Sequence, residues 1–311
     1  MADTEPIQVG GILSLDVEHL GLPGAICAYV VEGPEPALVD PGPTPALPRL
    51  KDRLREVGFP PEDLRHILLT HVHLDHAGST GHLAREFPAL TVHVHEDGAP
   101  HMADPERLVR STRRTFGEAH DRLWGEVVPI PSHQIRGWRP GDERPVPGIR
   151  PLPTPGHIAH HLAFEAEGHG VLFTGDSLGI ILGPDAPTHP PTPPPAVDLA
   201  AWEDTLTRTL APVEVDAFGV THFGLHRGLH ARREELRTRL LELAERVREA
   251  LARGDEEDRE RYDREVVERL SPHVSDERVP RYFSTFPAAS DWDGMRFFLE
   301  RNPDWKPVEL A

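Results

Sequence analysis

A mixed α/β domain followed by a helical C-terminal part is the fold class this chain predicts, from three observations. Up to about residue 225, short apolar runs bounded by glycine and proline alternate with stretches of helical periodicity. From Gly228 the composition shifts to leucine at helical spacing amid dense Glu and Arg. Four of the expected strands run directly into histidine or aspartate.

Taken in order, "IQVGGILSLDV", "AICAYVVEG" and "PALVDPG" within residues 7–40 read as strands separated by turn residues. A helix is expected from Pro45 to Val57, ended by Gly58 and two prolines. "RHILLT" is a short buried strand, "STGHLAREF" a helix capped at or near Ser79, and "LTVHVH" another strand. Residues 96–125 read as helical. "GIRPLPTPGH", "HHLAFEAEG" and "GVLFTGDS" give three more strands. The proline-dominated segment 183–197 suits a stiff loop or flap rather than a helix or central strand. "DLAAWEDTLTRTLA" is a helix and "VDAFGVTH" the last strand. Beyond Gly228, the long charged helix is followed by helical stretches near 257–270 and 291–301. The expected division is a catalytic domain over 1–227 and a helical extension over 228–311, whose leucine-rich helix makes a homodimer contact conceivable.

Bulk properties exclude some functions. The chain has 311 residues, 38% hydrophobic and 27% charged, which is ordinary for a globular protein. A net charge of −18 repels phosphate backbones, so nucleic acid is a disfavoured partner. With one cysteine, Cys27, no intramolecular disulfide forms. The first residues lack the basic and apolar regions of a secretory signal, and no stretch approaches the ~20 apolar residues of a membrane span. The expectation is a reduced, cytoplasmic protein with a small-molecule substrate and no membrane partner.

The chemistry-bearing residues form a pattern. "THVHLDHAG" places His71, His73, Asp75 and His76 within six positions. His157 in "TPGH", Asp176 in "FTGDS" and His222 in "GVTHFG" follow at later strand ends. Imidazole and carboxylate without thiolate suit zinc, or iron and manganese, and a carboxylate can bridge two cations. Such a pair of metals can share a hydroxide and clamp an attacked oxygen. Other histidines compete for attention among the twenty present. The "HVH" at 93–95 lacks a carboxylate set, His160 and His161 fit a loop end or pocket wall, and His226 is a weaker substitute for His222. Asp40 in "LVDPG" fits either an Asx-type turn or a group that orients a ligand histidine.

"THVHLDHAG" resembles the HxHxDH motif of the metallo-β-lactamase fold superfamily. "ALVDPG", "TPGH", "TGDS" and "VTHFG" are similar to its other motifs and stand in the expected order, across roughly residues 7–225. The resemblance implies an αββα sandwich. It implies that His71, His73 and His157 bind one divalent metal ion, that Asp75, His76 and His222 bind a second, and that Asp176 bridges them. Zinc is the expected metal, with manganese or iron as alternatives, and Asp75 would also take or relay a proton. The activity implied is hydrolysis of an ester, lactone, thioester or phosphoester by a metal-bridging hydroxide. Two alternatives share the fold: a mononuclear iron persulfide dioxygenase and a phosphodiesterase or nuclease. The short Asp176–His222 spacing and the acidic charge count against the nuclease branch. Tyr29, Tyr262 and Tyr282, the available tyrosines, stand in no context resembling the pocket tyrosine of the lactone hydrolases.

Overall fold

The computed structural model describes residues 9–274 and 277–308. It divides into two compact units. The first takes in residues up to Leu152 with 162–175 and 215–227; the second holds 153–161, 176–214 and the chain from Gly228 onward.

The first unit contains two sheets. Six strands line up in sequence order: β1 (Ile12–Asp16), β2 (Cys27–Val31), β3 (Ala37–Val39), β4 (His66–Leu68), β5 (Thr91–His95) and β6 (Ile135–Trp138). The first three pair antiparallel and the rest run parallel from β3 onward. The second sheet has the order β11-β10-β9-β8-β7, built from β7 (Ile149–Pro153), β8 (Leu162–Ala166), β9 (Val171–Phe173), β10 (Ala217–Val220) and β11 (Gly224–His226). Ile7 and Gln8, the start of the first expected strand, lie outside the described residues.

Alternation along a strand decides the layering. In β2, Cys27, Tyr29 and Val31 join Val39, Leu68, Ile149, Phe164, Phe173 and Ala217 in the core between the sheets. Ala28 and Val30 turn the other way, into a core shared with Leu38, Ile67, Val92, Val94 and the helices. Buried on both faces, β2 therefore reads as an unbroken apolar run. The helices are α1 (Leu47–Glu56), α2 (Leu74–Ala77), α3 (Thr80–Glu86), α4 (Ala99–Ala103), α5 (Glu106–Phe116) and α6 (His120–Trp124). Leu50 and Leu54 of α1 and Leu83 and Ala84 of α3 supply their buried faces. Ser79 does precede α3, but its hydroxyl donates to Pro41 O at 3.3 Å instead of capping the helix.

The second unit is helical: α7 (Leu199–Asp204), α8 (Leu229–Arg253), α9 (Asp258–Leu270), α10 (Arg278–Thr285) and α11 (Ala288–Arg301). A π-turn, Thr205–Thr209, continues α7. The leucines that suggested a dimer contact, Leu236, Leu240 and Leu243, are buried within the chain's own fold, in a helix packed against α11; Leu251 alone of the helix's leucines is exposed. Residues 183–197 form neither helix nor strand, as expected. Among the described residues no helix is long and apolar enough to cross a membrane.

Candidate metal centre

Parallel pairing puts strand exits at one edge. Val39 registers with Leu68 across β3 and β4, so Asp40 and the segment from Leu69 to His76 leave the first sheet together. The chain then turns into α2, whose first residues, Leu74 and Asp75, follow His73 directly. The β10 strand ends at Val220, and Thr221 and His222 come next. Backbone bonds tie that exit to the β1–β2 loop: Cys27 N–H donates to Thr221 O at 2.8 Å and Phe223 N–H to Gly24 O at 2.8 Å.

These exits converge within the first unit. His71 Nε2 faces His73 Nδ1 at 2.9 Å. Asp75 Oδ2 lies 3.4 Å from His222 Nε2 and 3.8 Å from His76 Nε2. Asp75, His76 and His222 thus bring one ligand atom each within 4.8 Å of one another. In the second unit, His157 Nε2 lies 3.3 Å from Asp176 Oδ2. All but Asp75 and His73 are buried; those two are partly exposed.

The outward ring nitrogens of four of these histidines are fixed. His76 Nδ1 is 2.8 Å from Asp40 Oδ2, His222 Nδ1 donates to Ala25 O at 2.8 Å, and His157 Nδ1 donates to Pro191 O at 2.9 Å. His71 Nδ1 lies 3.1 Å from Thr70 Oγ1. An Nδ1–H held by an acceptor leaves the Nε2 lone pair facing the site, the arrangement of metal-ligating histidines. His73 is reversed and offers Nδ1. Two imidazole lone pairs pointed at each other at 2.9 Å repel unless a proton or a cation stands between them. The donor set therefore fits a divalent cation of the zinc, manganese or iron kind. Cys27, the one thiol, is buried near the site's supporting loop, and burial raises its pKa, so it offers no thiolate.

Asp40 turns out to be the orienting group. Its carboxylate accepts from Thr70 N–H at 2.9 Å, Thr70 Oγ1 at 2.7 Å and Thr221 Oγ1 at 3.1 Å, in addition to His76. It does so from a left-handed backbone, φ 44°, a conformation a non-glycine residue keeps only where its surroundings impose it. Gly156 in the "TPGH" turn is required for space: at φ 146°, a Cβ there would fall 2.4 Å from Trp202.

The competing histidines have other partners. His93 pairs with His66 across β4 and β5 at 3.0 Å. His161 bonds Thr154 Oγ1 at 2.8 Å and accepts the backbone N–H of Asp176 at 3.2 Å, so it steadies the Asp176 turn. His226 lies in β11 against Phe218. Tyr29 is engaged as a core group, its hydroxyl donating to Val220 O at 2.6 Å.

Comparison with known proteins extends this picture. The chain is 34% identical over 155 residues to a hydroxyacylglutathione hydrolase of Xanthomonas campestris pv. campestris, covering 49% of this chain and 46% of that protein. It is 31% identical over 132 residues to an N-acyl homoserine lactonase of a Bacillus species, covering 42% and 44%. The chain thus spans under half the length of these relatives. A metallo-beta-lactamase family protein of Thermus thermophilus has a similar structure, with TM-score 0.66, 25% identity and 96% of each chain covered. An archaeal superfamily protein from Sulfolobus tokodaii shares the fold, with TM-score 0.66, 19% identity and coverage of 92% and 98%. The two-sheet fold with added C-terminal helices is that of these structures. The family model for the metallo-beta-lactamase superfamily matches residues 22–244, and with more than half of its length so matched the chain belongs to that superfamily.

Proposed function

We propose that this chain is a metal-dependent hydrolase of acyl compounds that works with two divalent cations, zinc first among them. His71, His73 and His157 hold one cation, Asp75, His76 and His222 the other, and Asp176 serves both. The observation that carries the reading is the fixing of the outward ring nitrogens of His71, His76, His157 and His222, which commits each ring to one donor atom. Cations so held supply Lewis acidity and an acidified water.

The chain's own groups do the rest. Asp40 keeps the His76 ring in one tautomer, and Ala25 O does the same for His222. Asp75, whose Oδ2 lies near both rings and which is partly exposed, is placed to take the proton released as the scissile bond is attacked. An ester, lactone or thioester is favoured over a phosphoester, because the N-acyl homoserine lactonase and the hydroxyacylglutathione hydrolase both act on acyl compounds by name. Residues 1–227 form the catalytic part and 228–311 a helical extension.

The test is turnover by protein purified without added metal, on N-hexanoyl homoserine lactone, S-lactoylglutathione, p-nitrophenyl butyrate and bis-p-nitrophenyl phosphate. Hydrolysis of at least one acyl substrate is expected. His73→Ala and Asp176→Ala should lose it while keeping the wild-type circular dichroism spectrum. Full activity in either variant contradicts the assignment.

A further inference from the structure

The loop after β1 carries a group that the proposed chemistry leaves unused. His19 is 3% exposed, and neither ring nitrogen has a hydrogen-bond partner among the described residues. Burial lowers its pKa to about 4; the Asp75 carboxylate opposes that shift, while His222 and Arg122 add to it. The ring is therefore neutral at pH 7, with one N–H donor and one acceptor nitrogen. Two buried polar atoms left unmet are costly, and a position serving only packing would hold a Leu or Phe.

The backbone is bent to keep the ring there. Glu18 and Leu20, on either side, are both left-handed, with φ 47° and 55°. Non-glycine residues hold such angles where the surroundings over-determine them, and strain of this kind gathers at ligand sites. The surroundings here do so. The Asp16 carboxylate accepts the N–H groups of Glu18 and Gly24 at 2.8 Å each, and Arg49 and Arg53 hold the Glu18 carboxylate at 2.8 and 2.7 Å. One face of the His19 ring stacks on Trp124, with centroids 5.9 Å apart and planes 11° apart, and Phe116 meets Trp124 edge-on. The same loop presents Ala25 O to the ligand His222.

We propose that His19 is a substrate-binding residue, whose imidazole hydrogen-bonds an uncharged group of the substrate, such as an amide or hydroxyl, at the loop that anchors His222. This rests on the hydrolase reading and narrows its substrate class. A carboxylate or phosphate oxygen only accepts and leaves the acceptor nitrogen of the ring unmet, whereas an amide or hydroxyl can donate to it. The acyl substrate therefore carries an amide or hydroxyl close to the bond that is cut.

Two variants of the metal-loaded protein test this. His19→Phe keeps the ring stack and removes both polar atoms; His19→Gln keeps a donor and an acceptor. On N-hexanoyl homoserine lactone, which has an amide beside the lactone, His19→Phe should lose about tenfold or more in kcat/KM, mainly through KM. His19→Gln should lose less. On γ-nonalactone, which lacks the amide, both variants should match wild type. Metal content should be unchanged, and the Tm of His19→Phe should equal or exceed that of wild type, because an unmet polar group has been removed. Equal losses on both lactones, no loss on either, or a Tm lowered by several degrees overturns the proposal. Should wild type hydrolyse neither lactone, the hydrolase reading fails for lactones. The His19 proposal is then decided by calorimetric binding of N-hexanoyl homoserine lactone: weaker binding by His19→Phe supports it, and equal or absent binding overturns it.

Discussion

Asp40 gathers four hydrogen bonds onto one carboxylate at the end of β3, and each comes from a segment that carries or adjoins a proposed ligand. Replacing it with alanine leaves His76 Nδ1 only the hydroxyls of Thr221 and Thr70, at 3.1 and 3.5 Å, and leaves the Thr70 N–H unmet in a buried place. Asp40→Ala should bind metal about 10–100-fold more weakly, measured by competition with a chelator. The sequence marked Asp40 as a candidate but could not choose between turn and orienter, because both place an aspartate at a strand end. His19 was legible only as part of the loop 19–24 that the sequence offers as a specificity segment: "EHLGLPG" shows a loop, and neither burial nor left-handed neighbours leave a mark in residue types. Outside the site, His93 makes a pH-dependent contribution. Burial lowers its pKa to about 3, with His66 and Arg136 acting in the same direction. Its folded value lies below the ordinary 6.5. The neutral ring's contribution is therefore complete above that value, falls as the unfolded chain takes up a proton, and is lost as pH drops towards the folded value. Thermal melts at pH 7 and pH 5 should show a fall in Tm that is shallower in His93→Leu.

At the scale of elements, the strands of the two sheets were readable where apolar alternation or an unbroken apolar run was strong, as in β2 and β10. The missed elements have physical reasons. β6, "IRGW", is an edge strand with half-exposed residues and a glycine, so it lacks an apolar run. β11 is three residues long and begins just past Phe223, which turns at φ 76°. α10 contains Pro280, which reads as a breaker; at the third position of the helix, its missing N–H is one the helix never uses. The proline-rich segment is fastened by α11: Asp291 accepts from Thr192 N–H at 2.7 Å and lies 2.8 Å from His189 Nε2, while Thr192 Oγ1 donates to Asp291 O at 2.8 Å. That segment supplies Pro191 O, the anchor of His157. Asp291→Ala strands two buried polar groups and should lower unfolding free energy by about 2–5 kcal/mol in denaturant titrations.

Over the whole molecule, the net charge of −18 acts at long range. An anionic substrate meets a repulsive field that salt screens, while a neutral lactone does not. Raising ionic strength from about 0.02 to about 0.2 M should therefore raise kcat/KM on S-lactoylglutathione and leave the lactone rate nearly constant. The family and its motifs were legible because all seven proposed ligands are histidines or aspartates inside short contiguous motifs that stand in the expected order. What selects the substrate was not, since it depends on loop backbone and on what each loop buries. The central claim is that the histidines and aspartates hold two divalent cations. Metal content per chain, by mass spectrometry on protein purified without added metal, tests it most directly. About two zinc or manganese ions per chain are expected, falling to about one or fewer in His76→Ala. No bound metal, or a single iron with oxygen consumption on a persulfide, would contradict it.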